Sequence, residues 1–351
     1  MSATRRVYIG SFTPPQGTGS GITLAEQDVE SGQLTSHGLV AETDSPGFLA
    51  WHPDGEKLYA VNGHAAAVQA FTVQPDGGLT ELGNKPSGGG ESCHLAVDPS
   101  GRFVAVANYS GGNLSVFRLA ADGSLAERTA LVAHEGPFGP NPRRQEKSHV
   151  HQTRFDASGK WLLVNDLGTD RVYVYRIDPN TGALSTGATA SAATAAGAGP
   201  RHLVSLSHGY VYVADELDST ISTFTFDDAD GTLTLVGATP STKVPVEGEN
   251  YPSEIAVGPD ARFVYVANRG GNLIGTHRID GAQVEAVADT PTGGDWPRHL
   301  AVIGNFCYVA NERSHTVTSF RLDPDTGIPT PTGEPLEVPS PGCILPAPQH
   351  L

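Results

Sequence analysis

The chain has 351 residues, of which 22 are Lys or Arg and 38 are Asp or Glu, so its formal net charge is −16. A surface this acidic repels nucleic acid and anionic membrane, and we expect neither as a partner. No stretch approaches the roughly 18 consecutive apolar residues that a membrane-spanning helix needs, which argues against a membrane protein.

The first predicted element is a strand at Val7-Tyr-Ile-Gly10, which directly follows Met1–Arg6. Those six residues contain no apolar segment of signal-peptide length. Cys93, Cys307 and Cys343 are odd in number and widely spaced, a pattern typical of buried thiols in a reducing compartment. We therefore expect a cytoplasmic protein.

After this strand, one pattern recurs along the chain: a short apolar run that ends in Asn or Asp. The runs end at Asn62, Asn108, Asn165, Asp215, Asn268 and Asn311. A second apolar run precedes each of them, often with a turn such as Pro53-Asp-Gly55 between the two. An alternating strand such as Val172-Tyr-Val-Tyr175 follows, and a Gly-containing turn then leads to a fourth strand. Four short strands joined by hairpin turns at this spacing are typical of one propeller blade.

The repeat predicts an all-β fold: a seven-bladed β-propeller of four-stranded antiparallel blades, in a single domain that covers residues 1–351. Six copies contain all four strands, whereas the N-terminal copy lacks the first. Gly342-Cys-Ile-Leu345 aligns with Cys93-His-Leu-Ala96, the first strand of a complete copy. We therefore expect this C-terminal strand to complete the N-terminal blade and close the ring. The predicted blades are 5–45 with 341–347, 46–91, 92–148, 149–198, 199–250, 251–295 and 296–340.

Polar residues concentrate where first strands begin and second strands end. In an antiparallel pair, the start of one strand lies beside the end of the next, so we expect these positions to share one face. The first-strand starts include His94, His151, His202, Glu254 and His299, with Arg201 and Arg298 directly before two of them. The residues after second strands are Gly63, Tyr109, Asp166, Glu216, Arg269 and Glu312. Guanidinium groups that converge there would repel one another unless an anion neutralised them.

A Gly- and Pro-rich insertion, residues 133–149, precedes the first strand that contains His151. It contains Arg143, Arg144 and His149, and we expect a lid or binding loop, with a solvated surface loop as the alternative. For each inner-strand histidine, the alternative is a buried residue that only satisfies hydrogen bonds. The sequence has no phosphate-binding loop, nucleophile elbow or close-spaced pair of metal ligands, so we expect neither cofactor nor metal.

Several segments resemble one known family. They are Gly139-Pro-Asn-Pro-Arg-Arg-Gln-Glu-Lys-Ser-His-Val-His-Gln152, Asp166-Leu-Gly-Thr-Asp-Arg171, Gly199-Pro-Arg-His-Leu203 and Ala267-Asn-Arg-Gly270. They are similar to segments of the seven-bladed propeller lactonases, which include cycloisomerase-type 6-phosphogluconolactonases and fungal carboxy-muconate lactonizing enzymes. The resemblance covers essentially the whole chain. It implies that the catalytic residues are His151, Arg201, Glu216 and Arg269.

The resemblance implies an enzyme that hydrolyses a sugar-acid lactone, with 6-phosphogluconolactone as the first choice of substrate. Glu216 or His151 would deprotonate water, and the other would act as acid. Arg201 and Arg269 would bind the anionic group or the developing oxyanion. Further residues expected to bind the small anionic lactone are Arg298, Arg143 and Arg144 for a distal phosphate, and His299, His202, His94, Glu254 and His149. A muconate cyclase that forms a lactone with the same groups and a non-catalytic scaffold are the alternatives.

Overall fold

The computed structural model describes residues 3–348, with the backbone alone for 188 and 189. The chain forms two compact units. The first unit takes the chain up to Gly47, Gln74–Leu79 and the chain from Thr239 onward, and the second takes Phe48–Val73 and Thr80–Ala238. Regular structure is almost entirely β-strand, with one 3₁₀ turn at Leu167–Thr169 in the described residues. None of the helical structure seen between residues 3 and 348 has the length and apolar character to cross a membrane.

The strands follow one another along the chain with short connections. The first unit begins with β1 (Thr4–Ser11), β2 (Gly21–Asp28) and β3 (Leu34–Glu42). The strands wholly or mostly in the second unit are β4 (Leu49–Trp51), β5 (Lys57–Asn62), β6 (Ala67–Val73), β7 (Leu79–Pro86), β8 (Ser92–Val97), β9 (Phe103–Asn108), β10 (Asn113–Leu119), β11 (Leu125–Ala133), β12 (Val150–Phe155), β13 (Trp161–Asp166), β14 (Arg171–Ile177), β15 (Leu184–Ala193), β16 (Pro200–Leu206), β17 (Tyr210–Asp215), β18 (Thr220–Asp227) and β19 (Thr232–Pro240). The first unit resumes with β20 (Tyr251–Val257), β21 (Phe263–Arg269), β22 (Leu273–Asp280), β23 (Gln283–Pro291), β24 (Pro297–Ile303), β25 (Phe306–Asn311), β26 (Thr316–Leu322), β27 (Pro329–Pro331), β28 (Leu336–Glu337) and β29 (Pro341–Pro346).

Within residues 3–348 the strands form seven antiparallel sheets, which confirms the predicted number of blades and the β-propeller fold class. The second unit contains the sheets β4–β7, β8–β11, β12–β15 and β16–β19. The first unit contains β20–β23, β24–β28 and the sheet of order β29-β1-β2-β3. In β24–β28 the outer strand is split, since β27 and β28 both pair with β26. Pro329 and Pro331 lie in β27 and Pro335 directly precedes β28, and proline provides no N–H for strand pairing.

In the six sheets whose strands follow chain order, the second strand is the most deeply buried. All six residues of β9 and of β13 are buried, whereas only one of the nine residues of the outer strand β11 is. A strand covered on both faces needs apolar residues at successive positions. This is why the second strands appear in the sequence as apolar runs that end in Asn or Asp. Apolar clusters lie between successive sheets of each unit, such as Tyr59, Val104 and Phe117 in the second. Tyr265 and Phe320 belong to such a cluster in the first.

Buried tyrosines of second strands also tie successive sheets together by hydrogen bonds. Their hydroxyl groups donate to turn glycines: Tyr59 to Gly123 O (2.7 Å), Tyr265 to Gly327 O (2.9 Å) and Tyr308 to Gly32 O (2.8 Å). Trp161 Nε1 donates in a similar way to Asp228 O (2.7 Å). An aromatic ring with a polar tip suits this place, because its body fills the core while its tip satisfies a carbonyl.

The first strand of several sheets begins with a β-bulge. In β16, Pro200 pairs with Asp215 and His202 pairs with Ala214, so Arg201 has no opposite residue. Cys93, His151 and Arg298 occupy the same position in β8, β12 and β24. A bulge redirects one side chain without ending the strand pairing. The bulged positions therefore point polar side chains away from the regular alternation of the strand.

This register corrects the sequence alignment of His151. The sequence pattern placed His151 with His94 and His202, but the structure places it one position earlier, with Arg201, and places Gln152 with His202. The physical reason lies just upstream, where the Asp166 side chain accepts a hydrogen bond from the His149 backbone N–H (2.8 Å). That bond fixes Val150 opposite Asp166 and leaves His151 as the bulged residue.

The C-terminal strand completes the N-terminal sheet, as predicted. Ile344 pairs with Ile9 and Cys343 with Gly10. Beyond the strand, the Ala347 N–H donates to Arg6 O at 2.8 Å. The β1 edge is thus paired rather than open, which removes a site for association with another chain.

Candidate active site

Arg201 and Glu216 form a buried ion pair where β16 begins and β17 has just ended. The β16 bulge places Arg201, and the Glu216 N–H donates to Gly199 O (2.8 Å), which holds the two chain segments side by side. Arg201 Nε lies 3.1 Å from Glu216 Oε2, and each residue is only 2% exposed. An ion pair this buried is tolerated when its remaining polar atoms also have partners.

Arg144, from the insertion, supplies a second partner for Glu216. Its Nη2 lies 2.5 Å from Glu216 Oε1 and donates to the Tyr109 hydroxyl at 3.1 Å. Burial opposes the charge of Arg144, but the neighbouring Glu216 carboxylate outweighs it and raises the pKa of Arg144 above its ordinary value. Each oxygen of Glu216 therefore faces a different guanidinium group.

Tyr109 joins this charged group to two histidines. Its ring stacks on His149 with centroids 4.5 Å apart and meets the His151 ring edge-on at 5.4 Å. Burial raises the pKa of Tyr109, so its phenol keeps its proton while its oxygen accepts from Arg144. Contacts thus run without a break from His151 through Tyr109 and Arg144 to Glu216.

Three buried histidines and the half-buried Phe48 form a row of rings in the second unit. The ring centroids of His151 and His202 are 5.2 Å apart, those of His202 and His94 are also 5.2 Å apart, and those of His94 and Phe48 are 3.8 Å apart. Neighbouring imidazolium charges repel one another, so protonation of one ring disfavours protonation of the next. The row ends at His151, whose ring touches Tyr109.

Asp166 fastens both ends of the insertion. Its Oδ2 accepts from His134 Nδ1 (2.7 Å) and from Ser148 Oγ (2.6 Å), and its Oδ1 accepts from the His149 N–H (2.8 Å). Burial by itself would raise the pKa of Asp166, but these hydrogen bonds and the His134 charge lower it below the ordinary value. After Asp166 the chain turns at Gly168, where a Cβ would overlap Lys147 O.

Asp170 holds the middle of the insertion against the start of β16. Its Oδ1 accepts from Gln145 Nε2 (2.6 Å) and from the Gly199 N–H (2.8 Å). Gly199 has a left-handed φ of 66°, which favours glycine. Gln145 follows Arg144, and Gly199 lies two residues before Arg201. One carboxylate therefore positions both arginines that bind Glu216.

In the first unit, Arg269 ends β21 against two aromatic rings. Its Cζ lies 5.6 Å from the Trp296 ring centroid and 6.0 Å from that of Tyr251. Its Nε donates to Tyr251 O (3.2 Å) and its Nη2 to Pro252 O (3.3 Å). These carbonyl oxygens and ring faces orient the Arg269 guanidinium group at the end of β21.

His299 fastens the C-terminal strand to β24. Its Nδ1 accepts from the Ile344 N–H (3.3 Å), so the ring hydrogen lies on Nε2. Nε2 is 3.2 Å from Glu254 Oε2 and 4.0 Å from Cys343 Sγ. Because Nε2 already carries the hydrogen that it donates to Glu254, the neutral ring has no lone pair there to deprotonate the thiol.

The structure brings most of the predicted site residues into two groups, one in each unit. The second unit holds His94, His149, His151, His202, Arg144, Arg201 and Glu216. The first unit holds Glu254, Arg269, Arg298 and His299. Arg143 differs from the rest: it is exposed, and its side chain makes no hydrogen bond or ion pair with any described residue.

The sequence prediction left out several residues of these groups. Tyr109 and Asp166 stood among the residues after second strands, so their position was a usable signal, but their contacts with Arg144 and His134 depend on the folded insertion. Trp296 preceded a Pro-Arg-His segment, and its position against Arg269 had no sequence signal. In residues 3–348, no three His, Cys, Asp or Glu side chains are grouped to hold a metal ion.

The comparisons with known proteins agree on one family. The family model described as "Lactonase, 7-bladed beta-propeller" matches residues 6–346. The 6-phosphogluconolactonase of Bacillus subtilis (strain 168) is 30% identical over 345 residues, which cover 96% of this chain and 97% of that protein. The structure of the periplasmic gluconolactonase of Pseudomonas aeruginosa superposes with a TM-score of 0.92 at 27% identity, with 99% of each chain covered. A protein from Lactobacillus plantarum superposes with a TM-score of 0.91 at 29% identity, covering 98% of this chain and 99% of that one.

Proposed function

Because the chain belongs to the seven-bladed β-propeller lactonase family, we propose that it hydrolyses 6-phosphogluconolactone to the open-chain acid. The observation that carries this proposal is the Glu216 carboxylate held between Arg144 and Arg201, in contact through Tyr109 with His151. Ester hydrolysis needs a proton acceptor for water, donors for an oxyanion and a proton for the leaving alkoxide. This group contains a residue suited to each task.

The proposed reaction moves one proton through His151. The imidazole accepts a proton from water as the water oxygen bonds to the lactone carbonyl carbon. The carbonyl oxygen becomes an oxyanion, which the guanidinium N–H groups of Arg144 and Arg201 stabilise. When the ring C–O bond breaks, the imidazolium returns the proton to the alkoxide, which gives a hydroxy acid and the original neutral imidazole.

His151 suits the proton transfer better than Glu216 does. A carboxylate with a guanidinium group on each oxygen has its lone pairs engaged and is a weak base. Glu216 therefore orients Arg144 and Arg201 and offsets their mutual repulsion. Arg269 is proposed as a further anion-binding donor, supported by its orientation against Trp296 and two carbonyl oxygens.

The experiment is a hydrolysis assay with 6-phosphogluconolactone, in which a dehydrogenase that oxidises the acid reports the product. Arg201→Ala, Glu216→Ala and His151→Ala should each lower kcat/KM by ~10²-fold or more, the usual loss for a general catalyst or an oxyanion donor. Wild-type turnover from both Arg201→Ala and Glu216→Ala would remove this site from consideration. Loss of muconate absorbance with no lactone hydrolysis would instead identify a lactone-forming enzyme.

We also propose a cytoplasmic location. Cys307 and Cys343 are fully buried, and no disulfide joins any of the three cysteines, all of which lie in the described residues. Reduced thiols are typical of the cytoplasm. The Pseudomonas relative is periplasmic, so fractionation of the native host with detection of this chain is a direct test. Recovery of the protein in a periplasmic extract would contradict the proposal.

A further inference from the structure

The sheet β24–β28 repeats the Arg–Glu arrangement of the sheet β16–β19. Pro297-Arg-His-Leu300 matches Pro200-Arg-His-Leu203, and Asn311-Glu312 follows the pattern of Asp215-Glu216. The register repeats as well, since Pro297 pairs with Asn311 as Pro200 pairs with Asp215, with a bulge directly after each proline. Arg298 and Glu312 therefore hold the backbone positions of Arg201 and Glu216.

Their side chains, however, form no pair. Arg298 lies over the Phe12 ring, with Cζ 5.3 Å from the centroid, and it makes no ion pair or side-chain hydrogen bond with residues 3–348. Glu312 Oε2 is buried and receives no hydrogen bond from the described residues. A buried acceptor without a donor is costly unless a ligand or water supplies one. The repeat thus leaves a carboxylate oxygen without a donor and a guanidinium group without an ion-pair partner among the described residues.

Arg313 adds a second guanidinium group of the same kind. It is exposed, its Cζ lies 3.5 Å from the Trp296 ring centroid, and its side chain donates to no described residue. The Trp296 O accepts from the Glu312 N–H at 3.0 Å, which keeps the ring next to this strand end. Arg262, another exposed arginine of the unit, does pair with a carboxylate, that of Asp260.

Trp296 itself has an unusual backbone. Its φ is 62°, in the left-handed region that a bulky residue rarely adopts, and its N–H donates to Asn272 Oδ1 at 2.9 Å. Glu91 and Gly199, at the same place before β8 and β16, also have a left-handed φ (51° and 66°), so the repeat enforces this conformation. The Trp296 ring lies under Arg269, at 5.6 Å, so this corner is continuous with the first-unit group described above.

We propose that Trp296, Glu312 and Arg313, with Arg298 beside them, form a subsite for the phosphorylated end of a sugar acid. Phosphate oxygens accept from the guanidinium group of Arg313, which the Trp296 ring orients, with Arg298 as a second donor, and a sugar hydroxyl donates to the Glu312 carboxylate. Guanidinium groups suit phosphate because they donate two parallel hydrogen bonds. In the second unit Glu216 pairs with Arg144 and Arg201, whereas neither Arg298 nor Arg313 forms an ion pair with a carboxylate of residues 3–348. The choice of a phosphorylated sugar acid rests on the proposed function.

The test is calorimetric titration of the full chain with 6-phosphogluconate, gluconate and inorganic phosphate. Arg313→Gln should weaken binding of 6-phosphogluconate by ~10-fold or more, as loss of a charge-assisted hydrogen bond does, with a smaller loss for gluconate. Arg313→Lys should recover part of the loss, because it keeps the charge without the planar fork. Arg321→Gln is the matched control, since Arg321 also stacks on a ring of this sheet (Phe306, 4.5 Å) but at the opposite end of β25.

Equal losses for 6-phosphogluconate and gluconate, no loss in Arg313→Gln, or no binding of 6-phosphogluconate by the wild-type chain would each overturn the subsite. Binding of inorganic phosphate alone would also overturn it, because the subsite requires the sugar chain. The assay of lactone turnover is separate: selective binding that depends on Arg313 without any turnover would overturn the proposed hydrolysis and leave the subsite standing.

Discussion

Arg144 Nη2 lies 2.5 Å from Glu216 Oε1, although the two residues are 72 positions apart in the chain. The contact joins an insertion to the end of an inner strand, so the site is complete only when the insertion is in place. Glu216 also pairs with Arg201, and removal of either guanidinium group would leave the other to balance a buried carboxylate alone.

The first prediction compares the adjacent arginines of the insertion. Arg144→Met should lower kcat/KM for the lactone by ~10- to 100-fold, because one charge-assisted hydrogen bond of ~1.5–3 kcal/mol is lost. Arg143→Met should cause a smaller loss, since the Arg143 side chain makes no hydrogen bond or ion pair with any described residue. Steady-state kinetics of both variants provide the measurement. Equal losses of kcat/KM in the two variants would mean that the net positive charge of the insertion, and not the contact between Arg144 and Glu216, determines the activity.

The second prediction concerns Asp166, which holds both ends of the insertion. Asp166→Asn should speed tryptic cleavage within residues 134–149, because an amide cannot replace a carboxylate that accepts from His134, Ser148 and the His149 N–H. Asp178→Asn is the control, since Asp178 also accepts several turn hydrogen bonds but on an exposed hairpin. Equal cleavage rates in the two variants would show that Asp166 does not hold the insertion.

The same residue predicts an acid transition. The folded state lowers the pKa of Asp166, so its contribution to stability is fully present above the unfolded pKa of ~3.9 and is lost as pH falls through the folded value. The insertion of the wild-type chain should therefore open below about pH 4. An acid protease active in that range should cut the insertion of the wild-type chain increasingly as pH falls, whereas Asp166→Asn should be cut at a rate that changes little.

The sequence predicts the strands better than the contacts within the site, for physical reasons. Second strands such as β9 are buried on both faces, so apolar residues are needed at successive positions and appear as a continuous run in the sequence. The meeting of Arg201 and Glu216 follows from antiparallel pairing, which places strand ends side by side. The approach of Arg144 depends on the path of a long insertion, and the position of His151 depends on a bulge set by a side chain. Neither the approach of Arg144 nor the bulge at His151 produces a periodic pattern in the sequence.

The third prediction concerns Asp215, which replaces the Asn found at this position in five other repeats. It is fully buried, its Oδ2 accepts from Ser222 Oγ (2.6 Å), and its Oδ1 receives no hydrogen bond from the described residues. Burial raises the pKa of Asp215 to about 8. In the unfolded chain the Asp215 carboxyl group ionises near pH 4, whereas in the folded chain it stays protonated at that pH. The contribution of Asp215 to the free energy of unfolding is therefore greatest at low pH and falls as pH rises towards 8.

Asp215→Asn removes the loss of stability that Asp215 causes at neutral pH, because an amide stays neutral in both the folded and the unfolded chain. The variant should be more stable than the wild type by at least ~1 kcal/mol at pH 7, with a difference that grows between pH 5 and pH 8. Denaturant midpoints at several pH values provide the measurement. Asn268→Asp, the reverse change in β21, should lower stability increasingly as pH rises. A stability difference that does not change with pH would show that Asp215 is ionised in the folded chain.

The fourth prediction tests the closing strand β29. Deletion of residues 340–351 removes the partner of β1 and exposes its edge and the Ile344 core position, so the truncated chain should unfold or aggregate. Light scattering and circular dichroism provide the measurement, and addition of a peptide of residues 339–351 should restore soluble folded protein by strand addition. Ile344→Asp should cost ~3 kcal/mol or more, and Leu345→Asp less, because Ile344 is 2% exposed whereas Leu345 is only half-buried. A soluble truncated chain with wild-type stability would show that pairing with β1 does not hold the N-terminal blade together.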